Sequence, residues 1–295
     1  MVSKTNKTTR KKKSKRTKQK KDKLKLLTKT CKNFGKPIYL MRHLNTDANI
    51  IADSFIGKTY NKIKGTKGGS LKHYLPYLPG IREPNITGWG RNDVKSLPKR
   101  YGITKTDNDQ YTVIVSPLMR TWVSALLFIR ALMKDKPFSL TLLISPMVEK
   151  SGFGGNTPLH SSYKRFFKEE VKETEHVTIK CCSNINRKKK VCDVIEIKDS
   201  KKLYNIINTK NYKPFNEGGM LMDETLYMIS KSCKTEFNNM KQILIYSHSG
   251  SIRNLLTDVD YPKEKVSTLK SVNGYAVIFT LRNNKVKITI KFPKK

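Results

Sequence analysis

Acidic residues are scarce in this chain of 295 residues: 23 Asp and Glu stand against 60 Lys and Arg, a formal net charge of +37. Such an imbalance draws polyanions through counterion release and favours anionic ligands of every kind. The shortage is deepest at the start. Residues 1–36 hold 16 basic side chains and one acid, Asp22, yet the remainder still carries about twice as many bases as acids. A Lys-, Asn- and Ile-rich composition also arises from an AT-rich genome, so charge alone does not establish a nucleic-acid role.

Long apolar runs are missing as well. The longest, residues 122–133, is interrupted by Arg130 and falls short of the roughly 20 apolar residues that a bilayer span requires, so no membrane role is expected. No apolar stretch ahead of Cys31 has the form of a signal peptide, and the five cysteines (Cys31, Cys181, Cys182, Cys192, Cys233) make an odd set. Reduced thiols in an intracellular protein, cytoplasmic or nuclear, are the expectation. Aromatics are few in residues 1–35, where Lys, Thr and Ser dominate, and too little apolar area is available there to offset the ordering entropy. This predicts a disordered basic arm over 1–35 and a folded domain over 36–295. The KKKSKR run at 11–16 suits a nuclear localisation signal, a tether to nucleic acid or another polyanion, or a solvated tail.

What the chain does have, at 37% hydrophobic content, is enough apolar material for a core. Four short apolar runs, at 38–41, 111–115, 140–144 and 242–246, each lead into polar or ionisable residues: Arg42-His43, Ser116 with Arg120, Glu149, and His248. Continuous apolar runs bounded by turn residues read as buried strands, and open α/β sheets place their chemistry beyond the carboxyl ends of such strands. Strand and helix patterns alternate, which predicts a three-layer α/β sandwich with a mostly parallel sheet and helices on both faces. Ser116 stands as an N-cap and Pro117 as the first residue of a buried helix reaching Met133. The polar, Gly-, Asn- and Lys-rich stretch at about 150–215 reads as an insertion of the kind that forms lids. Arg282-Asn283-Asn284, between two apolar runs, reads as the turn of a β-hairpin.

Two other signals point elsewhere. ADSFIGKT at 52–59 fits a relaxed phosphate-binding-loop pattern, but the Gly-rich sequence after it lacks the helix that such a loop needs. Cys181, Cys182 and Cys192, with His176 nearby, do not match zinc-finger spacing and read as free thiols. Neither a metal nor a cofactor is expected.

Taken in order, five segments resemble the histidine phosphatase superfamily in its phosphoglycerate mutase-like branch. RHLNTDAN (42–49) is similar to its Arg-His-Gly opening, NITGWGRNDVKSL (85–97) to its Leu-Thr-x-x-Gly helix start, and SPLMRTWVSALL (116–127) to its Ser-Pro-Leu-x-Arg segment. MVEKSGFGG (147–155) resembles the segment bearing its acid, and YSHSGSIRNLL (246–256) its late His segment. The resemblance implies a phosphoglycerate mutase-like fold and a phosphatase that hydrolyses phosphomonoesters through a phosphohistidine intermediate. It implies His43 as nucleophile, Glu149 as the proton donor to the leaving group, and Arg42, Asn49, Arg120 and His248 as phosphate ligands, His248 also counting among the catalytic set. Leu44 stands where the family has Gly, so its side chain either narrows the pocket or turns into the core; Ser249 replaces a second Gly. The alternative is a catalytically weak or inactive phosphatase fold serving as a basic binding module for nucleic acid or another polyanion. A mutase is a third option, for which no second phosphate site is visible.

Overall fold

The four apolar runs become four adjacent strands. The computed structural model describes residues 4–46, 85–147, 160–213, 218–270 and 272–293. Its eight strands are β1 (Ile38–Arg42), β2 (Gln110–Val115), β3 (Phe138–Ile144), β4 (Glu175–Asn186), β5 (Val191–Ile197), β6 (Ile243–Ser247), β7 (Ala276–Arg282) and β8 (Lys285–Lys291). They form one sheet in the order β5-β4-β3-β2-β6-β1-β7-β8. Pairing from β4 across to β1 is parallel, and the outer pairs are antiparallel. All five residues of β6 are buried. Because successive side chains point to opposite sides of a sheet, both of its faces must be covered, as a parallel centre requires.

The helices are α1 (Lys4–Phe34), α2 (Gly88–Asp93), α3 (Leu97–Tyr101), α4 (Met119–Met133), α5 (His160–Glu169), α6 (Ser200–Ile207), α7 (Met222–Ser232), α8 (Ser249–Asp258) and α9 (Lys263–Thr268). Helix α4 is buried along nearly its whole length, as its sequence requires, with Trp122 and Phe128 fully enclosed. Its start differs from the expectation. The helix begins at Met119 after an extended Leu118 and has no side-chain cap, because the Ser116 hydroxyl is engaged elsewhere, as described below. Among the described residues, no helix is long and apolar enough to cross a membrane.

Two stretches correct the sequence reading. The expected disordered arm is helical from Lys4, and its last turns are docked: Leu27, Cys31 and Phe34 are buried. Their spacing of four and three residues puts them on one helix face. Phe34 meets Phe237 edge-on at 5.4 Å, and Asn33 Nδ2 donates to Ser230 Oγ at 3.0 Å. Lys20 and Lys23 pair with Asp260 and Asp258 at the end of α8. The folded unit therefore starts before residue 36, on a narrow apolar stripe set among lysines. The expected insertion at 150–215 likewise supplies β4 and β5, which extend the main sheet, together with α5 and α6.

The cysteines depart from the expectation too. Cys182 and Cys192 form a disulfide between β4 and β5, while Cys31, Cys181 and Cys233 are free and buried. His176 lies at the other end of β4 and is exposed. The C-terminal hairpin matches the sequence reading, with Asn283 and Asn284 at φ 48° and 60°, the left-handed pair that a two-residue turn demands.

Candidate active site

In-register pairing of β1 with β6 brings the site together. Arg42 lies opposite Ser247, so the next residues, His43 and His248, leave neighbouring parallel strands side by side. Strand β2 flanks β6 on its other edge, with Val115 opposite Tyr246, and delivers Ser116 and then Arg120 in the first turn of α4. The two imidazole rings stand 5.5 Å apart between centroids. Arg42, His43, Arg120 and His248 are all buried, and both arginines act electrostatically on both histidines. These four sequence-selected residues converge at the carboxyl edge of the sheet.

The loop after β1 is held from several sides. His43 N–H donates to Ser247 O at 3.0 Å, and Gly274 N–H donates to His43 O at 3.3 Å. Gly274 has φ +68°, a conformation that glycine adopts without strain, and its carbonyl accepts from Tyr101. Further along, Thr87 caps α2 by accepting from Gly90 N–H and donates its own backbone N–H to Asn45 O. A Cβ on Gly90 would lie 2.8 Å from that same Asn45 oxygen, so the close approach of α2 to the loop needs glycine here. Leu44 resolves the alternative posed by the sequence: its side chain is buried in the core, and its N–H donates to Ser124 Oγ at 3.0 Å.

Each imidazole is fixed by a specific bond. His43 Nδ1 sits 2.7 Å from Leu44 O. A carbonyl only accepts, so Nδ1 carries the proton and Nε2 holds the lone pair. His248 Nε2 lies 2.7 Å from Ser116 Oγ, which also accepts from Leu118 N–H and meets Thr121 Oγ1 at 3.1 Å. Thr121 Oγ1 is 2.8 Å from Leu118 O and takes the role of donor there. Ser116 is thus a positioning residue for His248. The sequence suggested a helix cap because Ser before Pro usually reads so; nothing in the sequence alone indicates the partner 132 residues away.

Arg42 is anchored through Nη1, which donates to Val272 O at 2.7 Å and Lys270 O at 3.1 Å. This orients the guanidinium plane and ties the strand end to the segment before β7. The N-termini of α4 and α8, which follow Leu118 and His248 without a side-chain cap, add their positive dipole ends. Burial, then the charge of Arg120, then that of Arg42 hold His43 well below its ordinary 6.5; burial, Arg120, His43 and Arg42 do the same to His248. Both rings are therefore neutral at pH 7.

A pH dependence of stability follows. Above about pH 6.5 the two rings are neutral in folded and unfolded chains alike. Below that value the unfolded chain takes up protons that the folded one resists, so stability is lost as pH falls toward the depressed folded values. The urea midpoint is expected to fall more between pH 7 and pH 5 for the natural protein than for an H43N/H248N double variant. Equal falls would show that these rings do not carry the linkage.

Two sequence-selected residues, Asn49 and Glu149, lie outside the described residues, as do the phosphate-loop-like segment at 52–59 and the Gly-rich stretch at 65–69. Met147, two residues before Glu149, follows β3 and is buried, and Ser145 N–H donates to Val115 O at 2.9 Å. The chain thus leaves β3 at the same sheet edge as the histidines.

No family model and no curated protein matches the chain. Solved structures do align with it. A candidate alpha-ribazole-5'-P phosphatase from Escherichia coli aligns over 87% of this chain and 96% of its own, with 13% identity and a TM-score of 0.40. The alpha-ribazole phosphatase of Shigella flexneri aligns over 88% and 96%, with 11% identity and a TM-score of 0.37. A phosphoserine phosphatase mutant from Entamoeba histolytica, in complex with phosphoserine, aligns over 88% and 97%, with 17% identity and a TM-score of 0.37. At likenesses this distant, the chemistry of the site has to be read from its own residues.

Proposed function

We propose that the protein is a phosphatase that hydrolyses phosphomonoesters through a phosphohistidine on His43. The observation that carries this reading is a buried imidazole whose Nδ1 is tied to a backbone carbonyl, set beside a second imidazole and within the electrostatic reach of two arginines that disfavour its protonation. A general base would need its ring to gain a full proton during the reaction, in a surrounding that disfavours exactly that charge. Attack through Nε2 with the Nδ1 proton kept also leaves the ring cationic, but the phosphoryl group brings its own negative charges with it, which two arginines favour, whereas a proton brings none. Phosphoryl transfer depends chiefly on positioning and on stabilising charge across the equatorial oxygens. Arg120 and Arg42 fit that task, as does His248 through Nδ1–H when Ser116 Oγ donates to its Nε2, each charge-assisted bond contributing on the order of 1.5–3 kcal/mol.

Glu149 completes the cycle in this reading. As the acid it protonates the leaving alkoxide; as the base it then takes a proton from the water that attacks phosphohistidine. The mutase-like resemblance of its segment supports the assignment, as does its position shortly after β3. Asn49 adds a neutral donor to the phosphate.

The test compares two leaving groups in buffer containing a chelator. Nitrophenyl phosphate and an alkyl phosphate should both be turned over by the natural protein. Glu149→Gln should depress kcat/KM, which reports the step that expels the alcohol, by about 10²-fold or more on the alkyl ester and much less on the nitrophenyl ester, since nitrophenolate leaves without a proton, whereas kcat on both can fall through the shared hydrolysis of phosphohistidine. Equal losses of kcat/KM on the two esters would remove Glu149 from the acid role, and no turnover of either ester by the natural protein would count against a phosphatase.

A further inference from the structure

Away from this site, at the β5 edge of the sheet, three sulfurs from three separate elements meet. Cys182 comes from β4, Cys192 from β5, and Cys233 caps the C-terminal end of α7. All three are buried, and their Sγ atoms lie within 4.8 Å of one another. The third sulfur is held there by backbone contacts. Cys192 N–H donates to Ser232 Oγ at 3.0 Å, and Cys233 N–H closes the last turn of α7 by donating to Ile229 O at 2.9 Å. Cys31 and Cys181 are buried too, but neither joins a sulfur cluster among the described residues. Sequence spacing could not reveal the group, because Cys233 is brought in only by the packing of α7 on the edge hairpin.

We propose that, once the Cys182–Cys192 disulfide is reduced, Cys182, Cys192 and Cys233 together bind a thiophilic d¹⁰ metal ion, zinc(II) or copper(I). The proposal is independent of the phosphatase reading. Thiolates are soft ligands that select such ions over magnesium or calcium. At a metal–sulfur distance of about 2.3 Å, three sulfurs around one ion stand roughly 4 Å apart. Opening the disulfide to that separation moves each of its sulfurs by about 1 Å, a side-chain adjustment that leaves β4, β5 and α7 in place. The chemistry balances as follows. A dithiol reductant gives two electrons and two protons to the Cys182–Cys192 pair and ends as a disulfide itself; the entering metal ion then displaces the three thiol protons to solvent. The ion would fasten the edge hairpin to α7 in the reduced protein, as the disulfide fastens β4 to β5 in the oxidised one.

The experiment uses the full-length protein, reduced with a phosphine, freed of metal and kept anaerobic, with circular dichroism to verify that each variant is folded. It is titrated with cobalt(II), the spectroscopic stand-in for zinc, and separately with copper(I) against a competing chelator. The expected result is one equivalent bound, with a thiolate-to-metal charge-transfer band for cobalt that zinc removes. Cys233→Ser and Cys233→Ala should weaken binding at least about tenfold, whereas Cys31→Ser should bind like the natural protein. Zinc should raise the Tm of the reduced natural protein and leave that of the Cys233 variants unmoved. Retention of copper(I) without cobalt(II) would support the three-sulfur site and assign it to the monovalent ion. Failure of the reduced protein to hold either ion would overturn the proposal, as would Cys233 variants that bind as tightly as the natural protein.

Discussion

His43→Ala is expected to lower turnover of nitrophenyl phosphate on the order of 10⁴-fold or more, to the level of background. The size of the loss follows from the role. An alanine leaves the arginines and His248 in place, so phosphate still binds, but no atom remains to receive the phosphoryl group. Substrate affinity and turnover should therefore separate, with inorganic phosphate binding to the variant within a few-fold of the natural protein. With His43 Nδ1 tied to Leu44 O, Nε2 is the ring nitrogen left to react, so exogenous imidazole is the appropriate rescue reagent. A variant that keeps more than a few per cent of natural turnover would exclude covalent catalysis at this residue.

Arg120→Ala should cost about 10²–10³-fold in kcat, or roughly 2.7–4 kcal/mol, the range for removing one preorganised donor from a site of developing charge. A second consequence distinguishes a catalytic arginine from a packing one. Arg120 is the strongest charge acting on both histidines, after burial itself, and it pushes both downward. Its removal should move the acidic limb of the kcat/KM profile to higher pH, because His43 then holds its proton more readily. Arg120→Lys should keep the limb near its natural position while losing the planar two-pronged contact to phosphate. A loss of rate in Arg120→Ala with an unmoved acidic limb would place the side chain outside the electrostatics of His43.

The strands that build the site were readable because they are buried on both faces, and so appear as uninterrupted apolar runs rather than alternating ones. Their order was not readable. That β6 inserts between β1 and β2 is what makes His248 a neighbour of both His43 and Ser116, and no local pattern encodes a pairing across two hundred residues. Where the reading went astray, a stronger local signal masked a weaker tertiary one. Lysines hid the Leu27, Cys31 and Phe34 stripe of α1; Ser116-Pro117 resembled a helix start, although the hydroxyl serves His248; and polar composition hid the edge strands β4 and β5. The Cys182–Cys192 bond follows from the pairing of β4 with β5, which the spacing of the cysteines in sequence does not encode. The fate of Leu44 depended on a side-chain direction that sequence does not specify: it is buried, close to Gly274.

The most direct measurement is to trap the protein on mixing with substrate. Rapid mixing with a phosphomonoester, quenching in alkali and digestion at neutral or higher pH, where phosphohistidine survives, should yield a single phosphorylated peptide containing residue 43. Fragmentation should place the phosphoryl group on that histidine, and the label should be absent from His43→Ala. This adduct should form as fast as the first turnover and disappear as substrate is exhausted. Full turnover with no phosphorylated His43 at any mixing time, or an equal yield of phosphopeptide from His43→Ala, would contradict covalent catalysis at His43.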